Sequence, residues 1–155
     1  MLAVVLLAMP APVMAVDQVD SVTWGVRAGG NMPNYTGADF AGIVGAGVVY
    51  RHREFESLAL EADVSATLID GDIGGFDYSV TTLSAYLAWR TAGKLYLKLR
   101  AGSVMEYVSV GPSDVFGGGI SGSIGAGLRR GEQLLELELT GVDKSAYMVT
   151  LNWYF

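Results

Sequence analysis

Along nearly the whole chain, apolar residues recur at every second position. In residues 21–30, Val22, Trp24, Val26 and Ala28 fall on one side, and Thr23, Gly25, Arg27 and Gly29 on the other. The same pattern runs through residues 42–51, 57–68, 80–90, 95–108, 116–129, 133–141 and 147–155. A period of two belongs to β-strands, whose successive side chains point to opposite faces. Eight such segments predict an all-β chain. In each, one face is almost purely apolar, while the other carries Gly, Ser, Thr, Tyr and isolated charges.

The polar face decides which way the segments are turned. A soluble barrel of the lipocalin kind puts its apolar face inside and covers its outside with Lys, Glu, Asn and Gln. Here the polar face is built of small residues, with Arg27, Glu61, Asp63, Lys98, Arg100, Glu136 and Glu138 near mid-strand. Small residues suit a narrow lumen in which a few long side chains must fit. The apolar face carries no charge in any segment, as contact with lipid demands. Trp24, Tyr50, Trp89, Tyr107, Tyr147, Trp153 and Phe155 lie on it towards strand ends, where interfacial girdles form. The expected fold is an eight-stranded antiparallel transmembrane β-barrel. Its seven mid-strand charges pair across the lumen, because an unpaired buried charge is very costly.

Composition narrows the function. Glycine makes up 21 of 155 residues, about twice the usual share. No cysteine is present, which excludes disulfide scaffolds, thiol chemistry and zinc ribbons. A single histidine excludes a multi-histidine metal site. The net charge of −6 argues against nucleic acid, which needs a basic face. With charges divided between lumen and turns, no single acidic surface is expected. Residues 1–15 are uncharged, with an apolar core at 2–7 and Val13-Met14-Ala15 before Val16. They read as a secretory signal peptide without its usual leading Lys or Arg, and residues 16–155 as the barrel domain. Residues 51–54, 91–94 and 130–132 make tight, charged connections. Residues 31–39, 69–77 and 109–115 read as longer loops rich in Gly, Pro, Asn and Asp, and the connection at 142–145 is short. Short turns belong on the periplasmic side and longer loops outside.

The pieces GAGVVYRHREF (residues 45–55), TLSAYLAWRTAGKLYLKLRAG (82–102) and MVTLNWYF (148–155) carry a family likeness. The chain resembles the small eight-stranded outer-membrane β-barrels of the OmpA or OmpX type. That resemblance implies a place in the bacterial outer membrane and a structural or surface-interaction role with a side-chain-filled lumen. Tyr147, Val149, Leu151, Trp153 and Phe155 resemble the strand signal by which the barrel assembly machinery recognises such proteins. The implied partners are outer-membrane lipid, that machinery during insertion, and a surface partner through the outer loops. A monomer is expected. The alternatives are a narrow channel for small solutes and a soluble lipocalin-like ligand-binding barrel.

No catalytic residue, cofactor or metal site is expected. Barrel enzymes that modify lipid A need a histidine at the outer, lipid-facing end. His52, the one histidine, falls in a periplasmic turn, and His52-Arg53-Glu54 replaces the His-x-Ser of the deacylase type. Carboxylates alone could do acid–base work, but Arg27, Lys98 and Arg100 make a neutral plug the better reading of Glu61, Asp63, Glu136 and Glu138. Residues 117–122 match G-x-G-x-x-G without a βαβ unit, and read as a glycine-rich loop entering a strand. Asn34-Tyr35-Thr36 matches a glycosylation sequon, which marks only a surface loop. Asp70, Asp72 and Asp77 lack the closing glutamate of a calcium loop.

Overall fold

The computed structural model describes residues 21–34, 36–55, 57–142 and 146–155. The segment 1–15, expected to be a signal peptide, lies outside the described residues. The strands are β1 (Ser21–Pro33), β2 (Ala41–Arg51), β3 (Leu58–Ile69), β4 (Gly71–Ile73), β5 (Phe76–Arg90), β6 (Leu95–Val110), β7 (Ser113–Arg130), β8 (Gln133–Val142) and β9 (Ala146–Tyr154). Neighbours pair antiparallel in the order β3-β2-β1-β9-β8-β7-β6-β5-β4, and a further β3–β5 pairing closes the ring. Both β3 and β4 pair with β5, so β4 continues β3 past a break at Asp70. The nine strands therefore form eight staves of one closed antiparallel barrel.

The period-two pattern sets the faces. Val22, Trp24 and Val26 are exposed, while Thr23, Arg27 and Asn31 are buried. On β8, Leu135, Leu137 and Leu139 point out and Glu136, Glu138 and Thr140 point in. A closed barrel with an apolar exterior and a charged interior is inside-out for water and correct for a bilayer. Exposed aromatic residues gather at two levels. Trp24, Phe55, Trp89, Trp153 and Phe155 ring the end of the short turns, and Phe40, Phe76, Tyr107, Phe116 and Tyr147 ring the other.

The loops depart from expectation. Residues 69–77 and 109–115 are mostly strand, turning only at Gly74-Gly75 and Gly111-Pro112. Ile73 and Phe76 pair across Gly74-Gly75, whose φ values are 61° and 88°. Two consecutive positive φ angles are the geometry of a tight hairpin turn, which glycine adopts without strain. The Asp72 side chain reinforces that turn by accepting a hydrogen bond from the Gly75 N–H at 2.9 Å. The turns thus carry the Gly and Pro that the composition marks, but they are shorter than the composition implies. Residues 117–122 are likewise part of β7, paired with β6, and not a loop entering it. The connection between β8 and β9 includes residues outside the described set.

Candidate functional site: the lumen

Three layers fill the barrel. Nearest the short turns, Val49, Ala59, Ala88, Tyr96, Leu134 and Tyr154 form a buried apolar cluster. Nearest the opposite mouth, Ile43, Val80, Val104, Val142 and Met148 form a second. Between them lie the charges.

Arg27, Glu61, Asp63, Lys98, Arg100, Glu136 and Glu138 are all buried in this middle layer. Lys98 and Glu136 are fully buried, at 0% exposure. The Lys98 ammonium lies 2.9 Å from Glu61 Oε2 and 2.6 Å from Glu136 Oε2, and it also contacts Glu138. Arg100 Nη2 reaches Glu138 Oε2 at 2.9 Å, and Nη1 lies 3.3 Å from Glu61 Oε2 and also bridges to Asp63. Arg27 Nη2 lies 2.7 Å from Asp63 Oδ2.

One member escaped the sequence reading. Arg90 is 3% exposed, pairs with Glu61, and places Nε 2.8 Å from Glu136 Oε1. It stands next to the Thr91 turn, where a charge reads as a solvated turn residue. Its parity was the available signal, because it shares the inward face of β5 with Tyr86 and Ala88. With Arg90, the buried charged side chains among the described residues are four cations and four anions. Uncharged groups complete the network. Tyr96 donates to Glu136 Oε1 at 2.7 Å, and Arg100 Nε donates to Ser123 Oγ at 2.8 Å. The Tyr86 ring lies 4.0 Å from the Arg100 guanidinium, a cation–π distance.

Inward-facing glycines make room for these long side chains. A Cβ on Gly25 would strike the Tyr154 ring, and one on Gly127 the Tyr96 ring. The glycine count thus supports lumen filling, with tyrosines lying flat over bare backbone.

The two ends differ in charge. Asp39, Asp70, Asp72, Asp77 and Asp114 gather at the end of the β4–β5 and β6–β7 hairpins, with no Lys or Arg there among the described residues. Arg51, Arg53, Lys94, Arg129 and Arg130 gather at the other. This corrects the expectation of no single acidic surface. The eight buried charges balance one another, so the net negative charge lies outside that cluster. His52 sits in the β2–β3 turn, where its Nδ1 accepts from the Glu54 N–H at 3.3 Å and its ring lies 5.7 Å from Phe55. No group of three or more His, Cys, Asp or Glu side chains able to hold a metal occurs among the described residues.

No protein-family model and no curated protein sequence matches the chain. Solved structures do. Neisserial surface protein A superposes with a TM-score of 0.66 at 13% identity, over 86% of this chain and 95% of that one. Ail, the attachment invasion locus protein of Yersinia pestis, was solved with the heparin analogue sucrose octasulfate. It superposes at 0.57 and 7% identity, over 88% and 99% of the two chains. The N-terminal β-barrel domain of Pseudomonas aeruginosa OprF superposes at 0.54 and 16%, over 88% and 98%. Identities this low carry the fold and nothing finer, and the fold is that of the small eight-stranded bacterial outer-membrane β-barrels.

Proposed function

We propose that this outer-membrane barrel is a structural element with a sealed lumen, whose hairpin end meets partners outside the cell. The balanced cluster of eight buried charges carries the reading. Paired across the lumen and capped by an apolar layer on each side, these groups fill the space a solute would need. An eight-stranded barrel encloses just enough room for such filling. The reading assigns no catalytic step to the carboxylates, which are engaged by the cations beside them.

The heparin analogue bound by Ail does not transfer to this chain. A polyanion would meet a rim of aspartates, so a cationic or apolar partner fits better. The purified protein in detergent should migrate faster on a gel unheated than boiled, and should give no conductance steps in planar bilayers. Migration indifferent to boiling would overturn the barrel reading; stable steps would replace the sealed lumen with a narrow channel.

The outward stripe of Tyr147, Val149, Leu151, Trp153 and Phe155 is the surface offered to the barrel assembly machinery, and all five are exposed. Replacing Trp153 and Phe155 together with asparagine should slow machinery-assisted insertion into proteoliposomes severalfold. Unchanged assisted insertion would remove that role from the stripe.

A further inference from the structure

The staves are not tied equally across the lumen. On β1, Arg27 pairs with Asp63 of β3. Glu61 of β3 meets Arg90 of β5 and Lys98 of β6, and Glu136 of β8 meets both of those cations. Ser123 of β7 accepts from Arg100 of β6. Two staves stand outside this web. From Ile43 to Val49, β2 turns only Ile, Gly and Val inward, so it has no polar side chain to pair. By contrast, β9 turns Thr150, Asn152 and Tyr154 inward, at 1%, 0% and 1% exposure. Thr150 Oγ1, both amide atoms of Asn152 and the Tyr154 hydroxyl are enclosed, and none has a hydrogen-bond partner. No other strand carries three such residues among the described residues. The Tyr154 ring lies 5.5 Å from the Lys98 ammonium, a weak substitute for an ion pair.

The two flanks of β9 also differ. Towards β8, Val149 stands beside Leu139, Leu151 beside Leu137 and Trp153 beside Leu135. Towards β1, the same three stand beside Gly30, Ala28 and Val26, while Thr150 and Tyr154 stand beside Gly29 and Gly25. Side-chain pairs across a ladder strengthen a sheet beyond its backbone bonds, so β8 holds β9 more firmly than β1 does. Parting β1 from β9 breaks no ion pair of the lumen, because Arg27 stays with Asp63, and Glu136 and Glu138 stay with Lys98. It also brings the enclosed polar atoms of β9 to water entering the gap. In the closed barrel they carry the desolvation cost of unmade hydrogen bonds. Backbone edges bared to hydrocarbon oppose the opening and keep the open form a minority.

We propose that the β1–β9 ladder is a lateral seam, at which the barrel opens sideways while β9 stays with β8 and the charge cluster stays whole. This rests on the barrel reading and goes beyond the sealed lumen, which stays closed along its axis.

The test is residue-resolved amide hydrogen exchange of the folded protein in lipid nanodiscs. Amides of the β1–β9 ladder should exchange at least about tenfold faster than those of the β6–β7 ladder at the same depth. Asn152→Leu and Tyr154→Phe keep the shape and remove unpartnered atoms, so each should slow exchange at the seam about threefold or more and leave β6–β7 unchanged. That sign is opposite to the one given by a buried polar group held by a partner. Seam exchange in the parent no faster than that of β6–β7 overturns the proposal. So does seam exchange left unchanged or quickened by both variants, and quickening would show that the polar atoms are satisfied in the closed barrel. If one variant loses the fast unheated gel band, the other decides; loss by both overturns the proposal. Loss of that band in the parent protein would instead overturn the barrel reading.

Discussion

Replacing Lys98 with methionine should lower the free energy of unfolding by about 3–5 kcal/mol, measured as urea unfolding of the barrel folded into lipid vesicles. Lys98 is fully buried and contacts Glu61, Glu136 and Glu138. Methionine fills much of the same volume, so the loss is electrostatic. Glu61 keeps Arg90 and Arg100, Glu136 keeps Arg90, and Glu138 keeps Arg100. Four buried anions then face three cations. An exposed ion pair would cost only ~0–1 kcal/mol, so the magnitude itself reports burial. Adding Glu138→Gln should recover a large part of the loss, because it restores equal numbers while keeping a hydrogen-bonding side chain. A Lys98→Met protein as stable as its parent would show that lumen charges do not depend on one another. A single variant that fails to fold, with a double variant that does, would give the same answer as the predicted shift.

The faces of the strands were legible because lipid and lumen make opposite demands on alternate positions. Leu135, Leu137 and Leu139 against Glu136 and Glu138 leave only one arrangement in a bilayer. Arg90 was harder, because a charge beside a turn is ordinarily solvated, and only its partners Glu61 and Glu136 on other strands hold it inside. The extent of the hairpins was harder still. Residues 69–77 have the composition of a loop, yet Gly71, Asp72 and Ile73 pair with Tyr78, Asp77 and Phe76. Tyr78 is fixed from elsewhere in the chain, its hydroxyl lying 3.0 Å from the Asn31 carbonyl and 3.1 Å from that of Asp39. Alternation within a strand is silent about such contacts.

The same limit hid the uneven rim. Among the described residues β7 pairs with β6 from Ser113 but with β8 only from Ser121, a matter of where two registers begin. Each strand alternates regularly, and alternation is silent about relative heights. Charge placement follows a related logic. Once Arg27, Arg90, Lys98 and Arg100 are matched inside by Glu61, Asp63, Glu136 and Glu138, the net −6 comes from residues outside that cluster. The aspartates of the β4–β5 and β6–β7 hairpin end then make one rim acidic.

Leu137→Arg should destabilise the vesicle-inserted barrel by about 2–4 kcal/mol, whereas Gln133→Arg on the same strand and face should cost about 0–1 kcal/mol. Leu137 is 58% exposed and pairs with Ala126 and Leu151 near the middle of β8. Gln133 begins that strand, beside the Gly131 turn. Neither substitution touches the lumen, so the difference between them isolates depth in the bilayer. The same barrel standing in water would show no such difference, since arginine on a water-facing surface costs little at either position. The decisive quantity is therefore the gap between the two unfolding energies. A gap below about 1 kcal/mol would place the apolar face outside the hydrocarbon region. A gap of the expected size would establish that the exposed leucines answer to lipid, and that the buried charges are the polar side of the same pattern.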